Sequence, residues 1–326
     1  MLLKYMCKKI PMKPTPRPRR NPIRIFTFIL TLAAILTAGG LLLGLYWTSA
    51  SQNKAIESMA HANQTAVSQT AVSQAVATQA SDGSPSIMVD TTGALMALVP
   101  AGQFHMGSLY GEEDELPVRT IMLDDYYIDV FEVTNNLYQE CVKAGVCHPP
   151  IRSSSQRRAQ YYGNPEYEDY PVVYVRYEDA EAFCEWRKAR LPTEAEWEKA
   201  ARGGLEGMDY PWGDQSPVCT PGAPNGANSD KCSPAETWPV GSFAPNGYGL
   251  YDMSGNVWEW VADWYDNTYN PDAPSNNPTG PTTGVARILR GGSWNNIGLY
   301  LRVSTRLRNL PVDGNYNIGF RCARSP

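Results

Sequence analysis

The chain is poor in histidine, with only His61, His105 and His148 among 326 residues. That scarcity leaves no Ser/His/Asp set for nucleophilic catalysis. It also leaves no imidazole cluster for a transition metal. The sequence has no CxxC pair, no P-loop, no GxGxxG fingerprint and no GxSxG elbow. A zinc centre therefore lacks its usual ligand spacing. A net charge of −5 and a pI near 5.4 argue against nucleic acid as a partner.

Acidic residues are missing from the first 24 positions, which hold Lys4, Lys8, Lys9, Lys13, Arg17, Arg19, Arg20 and Arg24. Residues 25–47 (IFTFILTLAAILTAGGLLLGLYW) then carry no charge at all. This run exceeds the about 20 residues a helix needs to cross a bilayer, and it is longer than the apolar core of a cleaved signal peptide. The basic flank is expected to stay inside, which puts the rest of the chain outside a plasma membrane crossed once. Tyr46 and Trp47 suit the interface, and Gly40 and Gly44 form a GxxxG pair.

Cys7 falls on the inner side of that boundary. Cys141, Cys147, Cys184, Cys219, Cys232 and Cys322 fall outside it, an even number in a compartment that permits disulfides. Several connectivities are open. Loop length favours Cys141–Cys147, closing a short loop after a helix, and Cys219–Cys232, closing a loop rich in Pro, Gly and Asn.

Four segments follow from composition. They are a basic arm (1–24), a membrane span (25–47), a stalk (48–90) and a globular domain (91–326). The stalk repeats TAVSQ at 65–69 and 70–74 and is too polar to bury a core. In the domain, MALVPAGQFHMGS and VRTIMLDDYYIDVFEVT read as strands. Thr134 or Asn135 can cap a helix running through Cys141. A second helix is expected over 179–189. A third is expected after Thr193, where Glu196 completes a capping box and Gly203-Gly204 stop it. Beyond residue 205 turn signals dominate, and Trp and Tyr, 9 and 19 in number, must supply much of the core.

The words VPAGQFHMGS (99–108), EVTN (132–135), RLPTEAEWEKAARGG (190–204), GYGLYDMSGNVWEW (247–260), RILRGGSW (287–294) and NIGFRCAR (317–324) occur in that order. In content and order they resemble the formylglycine-generating enzyme family, the sulfatase-modifying factors, over about residues 92–326. The resemblance implies an irregular α+β fold, related to C-type lectins, and a third disulfide, Cys184–Cys322. It also implies calcium held by the side chains of Asp252 and Glu259 with the carbonyls of Gly255 and Val257, a hard oxygen set. Read without the family, Asp252 caps a turn and Glu259 pairs with an arginine. A second calcium site would use Asn228, Ser229, Cys232 and Pro234, but Cys232 replaces an acid there. Glu132 matches an acidic position tied to metal.

Members of the family follow the RGGS word with two cysteines five residues apart, which bind copper and activate oxygen. Here those positions are Asn296 and Leu301. Neither is a soft ligand, so copper is not expected. The iron-dependent sulfoxide synthases that share this fold need a three-His site, which is also missing. The groove frame that remains is Trp258, Arg290, Ser293, Trp294, Asn296, Tyr300 and Arg306; read structurally instead, Trp258 is core and Arg290 a buried bracing ion pair. The expected function is a non-catalytic module recognising an extracellular protein, peptide or glycan. The alternative is an oxidase of the same family with a non-standard site.

Overall fold

A computed structural model describes residues 85–267 and 275–326. The basic arm, the apolar run with its GxxxG pair, Cys7 and residues 48–84 of the stalk lie outside the described residues. Among the described residues no helix is long and apolar enough to cross a membrane.

Among the described residues ten strands and three α-helices follow one another. Strands β1 (Ile87–Val89), β2 (Leu95–Val99), β3 (Gly102–Met106), β4 (Arg119–Leu123) and β5 (Tyr126–Asp129) come first. Helices α1 (Asn135–Lys143), α2 (Tyr177–Trp186) and α3 (Glu194–Arg202) follow, then β6 (Trp258–Trp264), β7 (Arg287–Arg290), β8 (Leu307–Asn309), β9 (Ile318–Phe320) and β10 (Ala323–Arg324). They form a sheet in the order β1-β2-β5-β10, a β3-β4 hairpin, and a sheet in the order β8-β7-β6-β9. All pairings are antiparallel except β6 with β9. The class is α+β, as the sequence implied.

Local chemistry explains the helix ends. At α1 the Thr134 side chain accepts from Leu137 N. At α3 Thr193 accepts from Glu196 N, while the Glu196 carboxylate accepts from Thr193 N, so two orphan donors are satisfied reciprocally. Gly203 ends α3 in the left-handed region at φ 57°, where a side chain is strained. Helix α2 begins at Tyr177, two residues before the expected start, and ends at Trp186 rather than at 189. Lys188, at φ 58°, has already left the helix. Asp179 is therefore a first-turn acid, favoured by the helix dipole.

The folded part begins earlier than composition suggested. Ile87–Val89, placed in the stalk, pair with Leu95–Ala97 of β2. Short alternation in three residues is too weak a signal to stand out beside a polar tract.

Two apolar clusters fill the interior. One packs α3, through Trp197, Ala200 and Ala201, against Ala97, Ile121, Tyr126, Ile128 and Ile288. The other joins α1 and α2 to β6 and β9 through Tyr138, Phe183, Trp258, Trp260 and Phe320. The disulfides are Cys141–Cys147, Cys184–Cys322 and Cys219–Cys232. The first two lie in the second cluster, beside the stacked and edge-on rings of Tyr138, Phe183 and Phe320.

Candidate functional site

The register of the second sheet gathers several loops at one end. Glu259 of β6 faces Arg290 of β7, and Trp258 faces Ile318 of the parallel β9. Residues 252–257 therefore enter the sheet where residues 291–297 leave it and where 315–317 enter. Backbone bonds stitch them together. Gly255 N donates to Gly291 O at 2.9 Å, Trp294 N to Asn256 O at 2.9 Å, and Trp258 N to Asn317 O at 2.9 Å. Asp252 and Asn256 both sit at positive φ, 56° and 59°, and such backbone is stored where surrounding structure over-determines it. Gly255 is required, because a Cβ there would lie 2.2 Å from Asn228 O.

Beneath these loops lies a buried group of carboxylates. Both Glu259 oxygens are filled, by the Arg321 Nε at 3.0 and 2.8 Å, by Arg321 Nη2 at 2.7 Å and by Trp197 Nε1 at 2.7 Å. Asp252 Oδ2 accepts from Gly241 N at 2.7 Å. Glu132 accepts from Asn256 Nδ2 and from Val257 N. Three acids thus share one guanidinium. Burial, with some contribution from Glu259, holds the Asp252 carboxyl up at about 6. Burial and the charges of Asp252 and Glu259 push Glu132 well above the usual carboxylate range. Positive charge is in deficit here.

Calcium can be tested against this donor set. Asn228 Oδ1 is buried with no partner, and its amide nitrogen bonds Glu236 O and Asn256 Oδ1. An orphaned hard oxygen beside surplus carboxylate charge suits calcium. Glu259 does not suit a direct ligand role, since its lone pairs are taken. At the second site Ser229 O accepts from Cys232 N, and Cys232 is bonded to Cys219. Among the described residues no three His, Cys, Asp or Glu side chains converge in a metal-binding group.

The RGGS loop is self-satisfied. Asn296 Oδ1 accepts from Ser293 N at 3.0 Å and Ser293 Oγ at 2.6 Å, and Ser293 Oγ also contacts Asn295 Oδ1 at 2.8 Å. Leu301 is fully buried beside Tyr210 and Ala227, on a short 3₁₀ turn, Gly298–Leu301, and its carbonyl accepts from Ser254 Oγ. Of the expected groove frame, Trp258, Arg290 and Trp294 are buried. Arg290 braces the fold, donating to the carbonyls of Val303, Ser304 and Thr305 and to Glu198. Arg306 pairs with Glu194 at 2.7 Å, away from Ser293. Tyr300, 44% exposed, reaches solvent. The residues singled out from sequence therefore separate into a buried brace and a surface network.

Sequence reasoning passed over Arg321, Trp197, Asn256 and Asn317, which complete both groups. Arg321 and Asn317 stand inside the NIGFRCAR word, but nothing local marks a side chain that acts through distant strands.

Residues 84–326 match the sulfatase-modifying factor enzyme 1-like domain, and the chain belongs to that family. It is 37% identical over 281 residues to a formylglycine-generating enzyme of Streptomyces coelicolor, covering 69% of this chain and 87% of that protein. It is 34% identical over 282 residues to the inactive C-alpha-formylglycine-generating enzyme 2 of Bos taurus, covering 70% and 87%. The solved structure of PvdO from Pseudomonas aeruginosa superposes with a TM-score of 0.64 at 28% identity, over 76% of this chain and all of that one.

A separate acid offers a test of the site's base. Asp263 of β6 accepts from Glu194 N at 2.8 Å. Burial and the nearby charges of Glu194 and Glu196, against Arg306, hold its carboxyl up at about 7. The folded state therefore binds this proton more tightly than the unfolded chain. Stability from this group is full below about pH 4 and is lost as pH rises through about 7, by up to about 4 kcal/mol. Asp263→Asn keeps an acceptor for Glu194 N and removes the proton. Urea midpoints at pH 5 and pH 8 should differ less in the variant than in the parent, and an equal difference would refute the assignment.

Proposed function

We propose that the domain is a catalytically empty member of its family, displayed outside the membrane, where it recognises a ligand instead of oxidising a cysteine. One observation carries this reading. Every cysteine among the described residues is consumed in a disulfide. The two positions that family resemblance gives to copper ligands hold a carboxamide bonded to Ser293 and an alkyl chain buried against Tyr210. Neither can become a thiolate at any pH, so the donor set does not fit copper. The likeness to the inactive bovine protein supports the same reading, and so does the rule that function resides in sites and not in folds.

The test is an oxidation assay with the purified full-length chain, Cu(I) and a peptide carrying a sulfatase-type cysteine. We expect no stoichiometric copper and no conversion of cysteine to formylglycine. Copper-dependent conversion that disappears in Cys184→Ser or Cys322→Ser would overturn the reading.

The topology rests on the basic arm and the uncharged run 25–47. On intact cells, an impermeant thiol reagent should label the chain only after reduction, with Cys219 the most accessible target. Labelling confined to Cys7 would reverse the orientation.

We also assign one calcium ion to the loop that precedes β6. Asp252, Glu132, Asn228 Oδ1 and the carbonyls of Gly255 and Val257 would hold it, with Glu259 contributing through charge. When bound, calcium would supply the positive charge that the three buried acids lack. A chelator should then lower the melting temperature at pH 7, because a ligand bound only by the native state stabilises it. Asp252→Ala should abolish that chelator effect. A melting temperature that no chelator moves would remove calcium from the site.

A further inference from the structure

We propose that the network on the loop leaving β7 is a subsite for a neutral sugar, gripped through two adjacent hydroxyls. This rests on the recognition reading above and supplies its ligand class. Asn296 turns Oδ1 inward, accepting from Ser293 N at 3.0 Å and Oγ at 2.6 Å. Its Nδ2 donor has no partner among the described residues. Asn317 is set the opposite way. Its Nδ2 donates to Ser293 Oγ at 3.2 Å and Asn295 Oδ1 at 3.1 Å, which leaves Oδ1 as a free acceptor. The inner contacts fix which end of each carboxamide is spent. The surface is left with an oriented donor and an oriented acceptor, joined through Ser293.

The chemistry of the set selects the ligand. A hydroxyl both donates and accepts, so two neighbouring hydroxyls on a ring match the pair. Ser293, Asn295, Asn296, Asn317 and Tyr316 carry no charge. A carboxylate or ammonium ligand would shed water here without gaining a counter-charge. Asn295 Nδ2 donates to the Tyr316 hydroxyl at 3.3 Å, and the Tyr316 ring lies 5.8 Å from that of Trp294. Half-exposed Tyr316 supplies an apolar face of the kind that the C–H side of a pyranose needs. An extended peptide would need a ladder of backbone partners, whereas this network supplies a single donor and acceptor. The groups are reachable: Asn295 is exposed, and Asn296 and Asn317 are half-buried.

The test is calorimetry and saturation-transfer NMR on the purified full-length chain. The probes are neutral hexasaccharides of glucose, mannose and N-acetylglucosamine, an acidic oligouronate, and an uncharged extended hexapeptide. At least one neutral saccharide should bind. Asn296→Ala and Asn317→Ala should each weaken it roughly tenfold, the cost of a lost hydrogen bond in a small contact. Asn317→Asp, which keeps the acceptor, should bind more tightly than Asn317→Ala, a ranking that a purely structural role would not produce. Melting curves on each variant separate lost binding from lost folding. The inference falls if no saccharide binds, if binding survives both alanine variants, or if only the oligouronate or the hexapeptide binds. Binding of the hexapeptide would leave the recognition reading standing, and that reading fails only in the oxidation assay.

Discussion

Backbone carbonyls in irregular loops need donors, and in this domain buried arginines provide them. Arg321 donates to Asp129 O, Val130 O and Tyr251 O while pairing with Glu259. Arg290 serves Val303, Ser304 and Thr305. Arg202 reaches Gly107 O and Met208 O, and Arg306 reaches Asp114 O and Asp266 O. A buried C=O without a partner costs about as much as a lost hydrogen bond. A guanidinium offers several donors in a rigid fork and stays charged. Each arginine is then balanced by an acid, such as Glu259, Glu198 or Glu194. The fold can thus hold long loops in place with little sheet or helix. The consequence is that removing one partner would leave a buried charge uncompensated.

This arrangement explains what was legible in the sequence. Signals confined to a few neighbouring residues were readable. Thr193 and Glu196 gave the α3 cap, Gly203 gave its stop, and loop length gave two disulfides. The strands at 95–106 and 119–129 showed in their apolar pattern. Contacts formed across long sequence distances were not readable. Nothing near Arg321 reveals that its partner is Glu259, or that Trp197 of α3 closes the other side of that carboxylate. The acids Asp252 and Glu259 were visible as a pair, but only the packed structure shows that one is saturated and the other is short of positive charge.

The surface network divides along the same line. Ser293 and Asn296 were visible in the RGGS word. Asn317 was hidden because its link to Ser293 depends on the parallel pairing of β9 with β6. Arg290 and Trp258 were open to two readings, groove wall or buried support. They sit in motif words and look like groove residues, yet their side chains face inward and support the loops. A motif marks the residues a frame requires, and it does not separate those that touch a ligand from those that hold the frame.

The frame itself depends on the buried braces. The braces Arg290 and Arg321, with Arg302, which donates to Leu299 O and pairs with Glu115, contact carbonyls and buried acids, none of which belongs to the residues at 296 and 301. A change of side chain at those two positions would leave every brace intact. Leu301 fills its space with apolar contacts to Tyr210 and Ala227, so no cavity penalty arises. Asn296 takes up the polar groups of Ser293, so the buried donors of that serine are not stranded. The fold therefore does not depend on the chemistry of those two side chains. What stands at the surface beside these braces is an oriented, uncharged set of carboxamides, Asn295, Asn296 and Asn317 around Ser293, held by contacts that no brace shares.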